Sequence, residues 1–190
     1  MLKGNHHLVG NYKQQLMRSN KKPPKEAIER IESWLWDNEV LRVFVDTSKI
    51  ENQGIFGLGV IYVGQGLTSV KYKKHYNQAM KKVNVYGELI AVEFALTQVG
   101  KIIEKEFNQP SMILIYSDWN EISKLEDPAM ITKRILAIND VAERINERKS
   151  EMSISYPDTD LEILYMRDEE KRFNPFYKGA HNAARKAIGI

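Results

Sequence analysis

Two short, largely apolar runs that each end on an aspartate constrain the fold of this chain more than any other feature. The first run, residues 41–45, leads to Asp46, and the second, residues 113–117, leads to Asp118. Runs of this length and composition predict buried strands. A carboxylate at the end of a buried strand has lost part of its hydration and needs a partner, usually a cation. The two aspartates are therefore the first candidates for a functional site.

The segment between the two runs begins with a predicted β-hairpin. Residues 56–63 and 67–76 have the composition of strands, and Gly64-Gln65-Gly66 between them favours a tight turn. The glycines at positions 57 and 59 do not lead into the Gly-Lys-Ser/Thr ending of a phosphate-binding loop. They predict bulges or close approaches of another part of the backbone.

Glu88 is a third candidate because it lies on the apolar stripe of a predicted helix at residues 85–105. At helical spacing this stripe also contains Val92, Ala95, Val99 and Ile102. We therefore expect the side chain of Glu88 to face the sheet. Glu93 lies about 140° further round the helix and is expected to face solvent.

The three acids are expected to meet at one edge of the sheet. Two strands joined by a helical crossover lie parallel and side by side, so Asp46 and Asp118 should end at the same edge. Open α/β sheets bind ligands at that edge, and the crossover helix begins close enough for Glu88 to approach it. Neighbouring carboxylates repel one another unless a proton or a hard divalent cation such as Mg²⁺ relieves the repulsion. Carboxylates that hold Mg²⁺ at a sheet edge are typical of phosphoryl chemistry.

The middle of the chain continues the alternation of helix and strand. A short helix is predicted at about 119–125, and Asp127-Pro128 predicts the start of a helix that runs to about residue 149. The inward-facing residues of this longer helix are predicted to be Ile131, Ile135, Ile138, Ala142 and Ile145.

The last part of the chain predicts a strand at 161–166, a charged loop at 168–172 and a final helix that starts at Asn174-Pro175. One face of the final helix carries Tyr177, His181, Ala184 and Ile188.

The first 40 residues predict an extension to this pattern. They begin as a polar stretch, which we expect to be a solvated arm. Residues 25–37 then have helical spacing, and Trp34 and Trp36 are expected to dock this helix onto the core. We therefore divide the chain into an N-terminal arm and helix at 1–40 and one domain at 41–190.

Composition excludes several classes of site. The chain has no cysteine, so disulfides, zinc knuckles and thiol nucleophiles are excluded. Its net charge of +3 is compatible with a nucleic-acid partner. No apolar run approaches the roughly 20 residues that span a bilayer, and the N-terminus lacks the apolar core of a signal peptide. We expect a cytoplasmic protein without a membrane partner.

Four segments together resemble the type 1 ribonuclease H family, within the ribonuclease H-like superfamily. They are Phe44-Val-Asp-Thr-Ser48, the block from Asn84 to Leu96 with its Glu-Leu-x-Ala-x-x-x-Ala-Leu pattern, Ile115-Tyr-Ser-Asp118, and residues 174–187. The resemblance covers residues 41–190 and implies an α/β fold with a five-stranded mixed sheet. The first three strands would be antiparallel, the fourth and fifth parallel to the first, and helices would flank the sheet.

The resemblance also implies an activity and a set of site residues. It implies a two-metal-ion endonuclease that hydrolyses the RNA strand of RNA/DNA hybrids with Mg²⁺ or Mn²⁺. Asp46, Glu88 and Asp118 would be catalytic metal ligands, and His181 takes the place of the family's usual fourth carboxylate. The residues expected to contact the substrate are Thr47, Ser48, Asn84, Lys73 and Lys74. The lysines around residues 71–82 are either a phosphate contact or a solvated charged face.

Two departures from the family leave the activity open. His181 brings no negative charge when it is neutral, and the loop at 168–174 has no histidine where the family normally has one. Either an acid among residues 168–170 reaches the metals instead, or this loop is simply solvated. The alternatives to a hybrid-cleaving enzyme are a weak or inactive nucleic-acid-binding module and another nuclease of the same superfamily.

Overall fold

The computed structural model describes residues 22–127 and 136–190. Its centre is a five-stranded sheet in the order β3-β2-β1-β4-β5. The strands are β1 (Val40–Ile50), β2 (Ile55–Gly64), β3 (Leu67–Tyr76), β4 (Met112–Ser117) and β5 (Asp160–Tyr165). β1, β2 and β3 pair antiparallel, whereas β4 pairs parallel with both β1 and β5. The predicted mixed sheet is therefore confirmed.

Helices cover both faces of this sheet. They are α1 (Lys25–Trp36), α2 (Asn84–Glu106), α3 (Leu136–Ser155), α4 (Asp168–Lys171) and α5 (Pro175–Ala187). α2 packs on one face with α3 behind it, and α5 and α1 pack on the other face. Each face has its own apolar cluster. Along residues 22–127 and 136–190, no helix has the length and apolar character needed to cross a bilayer.

The turn between β2 and β3 has the geometry predicted from its residues. Both central residues have positive φ, 53° at Gln65 and 74° at Gly66. Two-residue hairpin loops favour such backbone because its twist matches the twist of the strands. Gly66 also leaves room for a neighbour, since a Cβ there would lie 2.5 Å from Cζ3 of Trp36.

Gly57 and Gly59 of β2 allow the backbone of α5 to rest directly on the sheet. A Cβ at Gly57 would lie 2.0 Å from the carbonyl oxygen of Ala184, and one at Gly59 would lie 2.0 Å from that of Ala180. The predicted close approach is therefore confirmed. Gly59 pairs with Asp46 in the sheet, so the same contact brings α5 beside Asp46.

The α1 helix packs onto the sheet through its buried side. Ile31 and Leu35 belong to the same apolar cluster as Phe44. Trp34 lies over Phe44, with ring centroids 5.6 Å apart, whereas Trp36 is 60% exposed and contacts the turn at Gly66. Docking of this helix is therefore observed, and the domain boundary at residue 40 stays a prediction.

Four sequence predictions about local structure were wrong or too short. Glu93 does not face open solvent, because its carboxylate accepts two hydrogen bonds from Arg144 on α3, at 2.7 and 3.0 Å. The charged segment after β5 is not a loop but the short helix α4, whose residue Glu170 caps its own first turn. The predicted helix at 119–125 is a 3₁₀ turn, Ile122–Glu126, and α3 continues to Ser155.

Some predictions fall on residues outside the described ranges. These are the arm at residues 1–21, the helix start at Pro128, and the inward positions Ile131 and Ile135. The other three inward positions, Ile138, Ala142 and Ile145, are buried as predicted.

Candidate active site

The register of the central strands brings Asp46 level with Asp118. β1 and β4 pair in parallel up to Phe44 and Tyr116, so each aspartate lies two residues beyond this pair. β4 ends at Ser117, whereas β1 continues past Asp46 to Ile50 along β2. The first strand, predicted to end at about residue 47, is therefore longer than predicted. The two aspartates nevertheless lie at the same edge, as predicted.

Asp46 is buried and held by His181 from α5. Its exposed fraction is 5%, and its Oδ2 lies 2.8 Å from Nδ1 of His181. With the carboxylate ionised, the ring N–H is the donor. Burial raises the pKa of Asp46 to about 6, and the hydrogen bond and charge of His181 oppose that rise. The side chain of His181 is 47% exposed, so it lies at the rim of the site.

Asp118 has two partners that sequence reasoning did not assign to the site. The hydroxyl of Tyr177 donates to its Oδ2 at 3.2 Å, and the ammonium of Lys171 lies 3.9 Å from the same oxygen. Lys171 also lies 5.3 Å from the ring centroid of Tyr165 and 6.0 Å from that of Tyr177. Tyr177 could have been found, because it precedes His181 by four residues on the same helix face.

Glu88 reaches the same edge from the second turn of α2. Its Oε2 is buried and has no hydrogen-bond partner. Burial raises the pKa of Glu88 well above its usual range, and the charges of Asp118 and Asp46 raise it further. The predicted orientation of Glu88 towards the sheet is therefore observed, and its side chain lines the same cavity as Asp118. We call Asp46, Glu88 and Asp118 the acid cluster.

Two of the three acids at residues 168–170 have partners within the same short segment. Asp168 is 89% exposed and pairs with Lys171 at 3.3 Å. Glu170 accepts a hydrogen bond from the backbone N–H of Arg167 at 3.0 Å. The residue of this segment that reaches Asp118 is therefore the cation Lys171, rather than one of the acids.

A cavity of about 380 Å³ opens beside the acid cluster. It is lined by Thr47, Lys49, Phe56, Asn84, Glu88, Asp118, Trp119 and Asn120. The structure thus brings two predicted substrate contacts, Thr47 and Asn84, next to the acids. Lys49, which donates to Oδ1 of Asn84 at 2.7 Å, was not predicted.

The other three predicted substrate contacts do not line this cavity. Thr47 faces α2, since a Cβ at Gly87 would lie 3.0 Å from its Oγ1, so Ser48 faces the opposite side of the sheet. Lys73 and Lys74 lie on β3, two strands away from β1. Alternation along β3 turns them to opposite faces.

The acid cluster has the chemistry of a divalent-metal site without being a preformed one. Within the described residues, no group of three His, Cys, Asp or Glu side chains is already arranged to hold a metal ion. The acids instead contact protein donors, His181 at Asp46 and Lys171 and Tyr177 at Asp118. The buried, unpartnered Oε2 of Glu88 is the group that a hard cation would satisfy. The residue types present therefore fit a hard divalent cation that takes oxygen ligands.

Comparison with known proteins identifies the fold. No protein-family model and no curated protein sequence matches the chain. Among solved structures, the RNase H1 of the halophilic archaeon Halobacterium salinarum is 14% identical, covers 79% of this chain and 98% of its own, and has a TM-score of 0.55.

Two further solved structures agree with this result. LC11-RNase H1, solved in complex with an RNA/DNA hybrid, is 14% identical, covers 78% of this chain and 99% of its own, and has a TM-score of 0.52. The N-terminal RNase H domain of a Mycobacterium tuberculosis protein is 11% identical, covers 78% of this chain and 99% of its own, and has a TM-score of 0.50. The chain therefore has the ribonuclease H fold.

Proposed function

We propose that this chain, which has the fold of type 1 ribonucleases H, is a metal-dependent endonuclease that hydrolyses the RNA strand of RNA/DNA hybrids. The observation that carries the proposal is the acid cluster itself. Asp46, Glu88 and Asp118 come from three separate segments, and the buried Oε2 of Glu88 lacks a partner. Placing three acids close together is costly when Asp46 is buried and the other two are partly buried, unless they bind a cation. A functional reason for the cluster is therefore required.

The metal ligands in this proposal are Asp46, Glu88 and Asp118, with His181 at the rim as a fourth. Divalent ions bound there would supply a nucleophilic water and stabilise the attacking and leaving oxygens of a phosphodiester. His181 holds the carboxylate of Asp46 in position, and Tyr177 does the same for Asp118. The two hydrogen bonds limit the rotamers of these acids before any ligand arrives.

Substrate contacts follow from the groups around the cavity. Asn84 and Thr47 offer an amide and a hydroxyl beside Glu88, which suit the sugar-phosphate backbone in the minor groove of a hybrid. Recognition of RNA would rest on contacts to its 2′-hydroxyl groups. The hybrid seen with LC11-RNase H1 supports this class of substrate, because that protein shares the fold.

Cleavage of a labelled RNA/DNA hybrid tests the proposal. We expect the wild-type protein to cut the RNA strand with Mg²⁺ or Mn²⁺, and Asp46→Asn and Asp118→Asn to lose this activity. Asp158→Asn, at an exposed position between α3 and β5, is the matched control and should cut like the wild type. Undiminished cleavage by the Asp46 and Asp118 variants would assign the activity to another site or to a contaminant.

A second candidate, a binding module without efficient cleavage, is favoured by one specific observation. The acids contact the protein's own donors, His181 and Lys171, and the fourth carboxylate is absent. Tight hybrid binding without cleavage in either metal would support this reading. Cleavage of DNA duplexes or junctions in preference to hybrids would instead indicate another nuclease of the same superfamily.

A further inference from the structure

The outer side of α5 and the edge strand β3 is unusually cationic. Neither element contains an acidic residue, although the whole chain has 25 acids against 28 lysines and arginines. The basic residues of the two elements are Lys71, Lys73, Lys74, Lys178, Arg185 and Lys186. Such a concentration of one sign is the electrostatic footprint of a polyanion partner.

Two tyrosines lie among these cations on one continuous face. The ammonium of Lys186 lies 5.0 Å from the ring centroid of Tyr72, so Tyr72 faces α5. Alternation then turns Lys74 and Tyr76 to the same side. Lys71 faces the other side of the sheet, where it pairs with Glu106 at 3.0 Å. We call Tyr72, Lys74, Tyr76, Arg185 and Lys186 the basic-aromatic face.

The groups of this face are available to a ligand. In residues 22–127 and 136–190, Lys74, Arg185 and Lys186 have no carboxylate within ion-pair distance. Tyr72 is 47% exposed and Tyr76 is 64% exposed. These two are among the most exposed aromatic side chains in the described part of the chain, and Lys186 is the cation next to one of them.

Protection of a sheet edge does not explain this face. Lysines on an edge strand discourage pairing with another strand, and that would account for Lys74. Exposed tyrosines have the opposite effect, because they add apolar surface to the edge. Aromatic rings on which bases stack, beside cations that contact phosphates, are instead typical of surfaces that bind single-stranded nucleic acid.

The face is continuous with the acid cluster. Arg185 follows His181 by four residues on α5, and therefore lies one turn further along the same side of the helix. His181 in turn contacts Asp46 at 2.8 Å. Gly57 and Gly59 hold this helix against the sheet, so its distance from the site is set by backbone contacts.

We propose that the basic-aromatic face binds a single-stranded extension of the hybrid as it leaves the acid cluster. The inference rests on the proposed function and extends it, because it specifies hybrids that carry an overhang. The tyrosines stack on bases of the extension, and Lys74, Arg185 and Lys186 contact its phosphates. A blunt hybrid does not reach this face.

Binding is measured by fluorescence anisotropy in the Asp46→Asn background, so that cleavage does not interfere. The probes are a blunt hybrid and the same hybrid with an overhang of about 10 nucleotides at one end or the other. When the basic-aromatic face carries no substitution, we expect the hybrid with an overhang to bind more tightly than the blunt hybrid. Tyr72→Ala/Tyr76→Ala should weaken overhang binding at least about five-fold, the lower limit for the loss of a stacked base, and leave blunt binding unchanged.

Two variants that remove the same charge distinguish contacts made by the basic-aromatic face from the effect of the protein's overall charge. Lys74→Gln/Lys186→Gln should make the salt dependence of overhang binding shallower by about 1.4 in log K against log salt, since each single-strand phosphate contact contributes about 0.7. Lys101→Gln/Lys105→Gln removes the same charge from the exposed side of α2 and should leave that slope unchanged. Thermal unfolding checks that each variant is folded.

The proposal is overturned if an overhang tightens binding at neither end of the hybrid. It is also overturned if the two lysine double variants change the salt dependence of overhang binding equally. Failure of the proposed function has a different signature. A wild-type protein that cuts no hybrid, but whose binding still depends on the overhang and on this face, refutes the nuclease and retains the surface.

Discussion

Lys171→Met should strengthen the binding of divalent ions to the acid cluster. The ammonium of Lys171 lies 3.9 Å from Oδ2 of Asp118 and therefore repels a dication that approaches the same oxygen. Two unit charges at this distance interact by about 1 kcal/mol in water and about 4 kcal/mol at an effective dielectric constant of 20.

The partial exposure of this ion pair favours the lower part of that range. The side chains are 19% exposed at Lys171 and 33% exposed at Asp118, so solvent screens their interaction. A net gain of about 1–2 kcal/mol in metal binding corresponds to a Kd that is about 5- to 30-fold lower. Methionine keeps much of the apolar stem that packs near Tyr165 and Tyr177, so the rings lose little contact.

Calorimetric titration of the metal-free protein with Mn²⁺, without substrate, measures this change. Lys101→Met, on the exposed side of α2, removes the same charge far from Asp118 and should leave the Kd within about two-fold of the wild type. An unchanged or higher Kd in Lys171→Met would refute the reasoning. It would mean that Lys171 positions Asp118 for the metal instead of competing with it.

Three further predictions follow from the same geometry. His181→Asp should keep or raise Mg²⁺-dependent cleavage, because it adds the anionic oxygen that a neutral imidazole lacks. Loss of cleavage in a folded variant would contradict the placement of His181 at the position of the fourth carboxylate. Without metal, the free energy of unfolding should fall as pH rises from about 4 through about 6. Burial raises the pKa of Asp46 and of Glu88, so the native state binds more protons than the unfolded chain in this range. Urea unfolding should show a shallower fall for Asp46→Asn and an unchanged one for the Asp158→Asn control. Gly59→Ala should lower the free energy of unfolding by about 3 kcal/mol, because its Cβ would lie 2.0 Å from the carbonyl oxygen of Ala180. The control is Gly100→Ala, whose Cβ would lie 3.4 Å from the hydroxyl of Tyr156. This variant should be no less stable than the wild type.

The amino-acid sequence by itself determined the elements and the side of each element that is buried. The aspartate-terminated runs became β1 and β4, and the apolar stripe of α2 turned Glu88 towards the sheet. Gly57 and Gly59 of β2 indicated a close backbone approach, which the contact with α5 confirms. All of these follow from local periodicity and from the sterics of single residues, which neighbours along the chain already specify.

Only the tertiary structure decided which polar groups meet. The same helical periodicity that correctly placed Glu88 placed Glu93 in solvent, yet Arg144 reaches it from α3, 51 residues away. For the segment around Lys171 the sequence left open either an acid that reaches the site or a solvated loop, and the ammonium of Lys171 is the group that reaches Asp118. Long charged side chains have many rotamers and select partners by distance in space. Hydrophobic patterning specifies the face of an element but not the residue opposite it, because that depends on how the elements pack together.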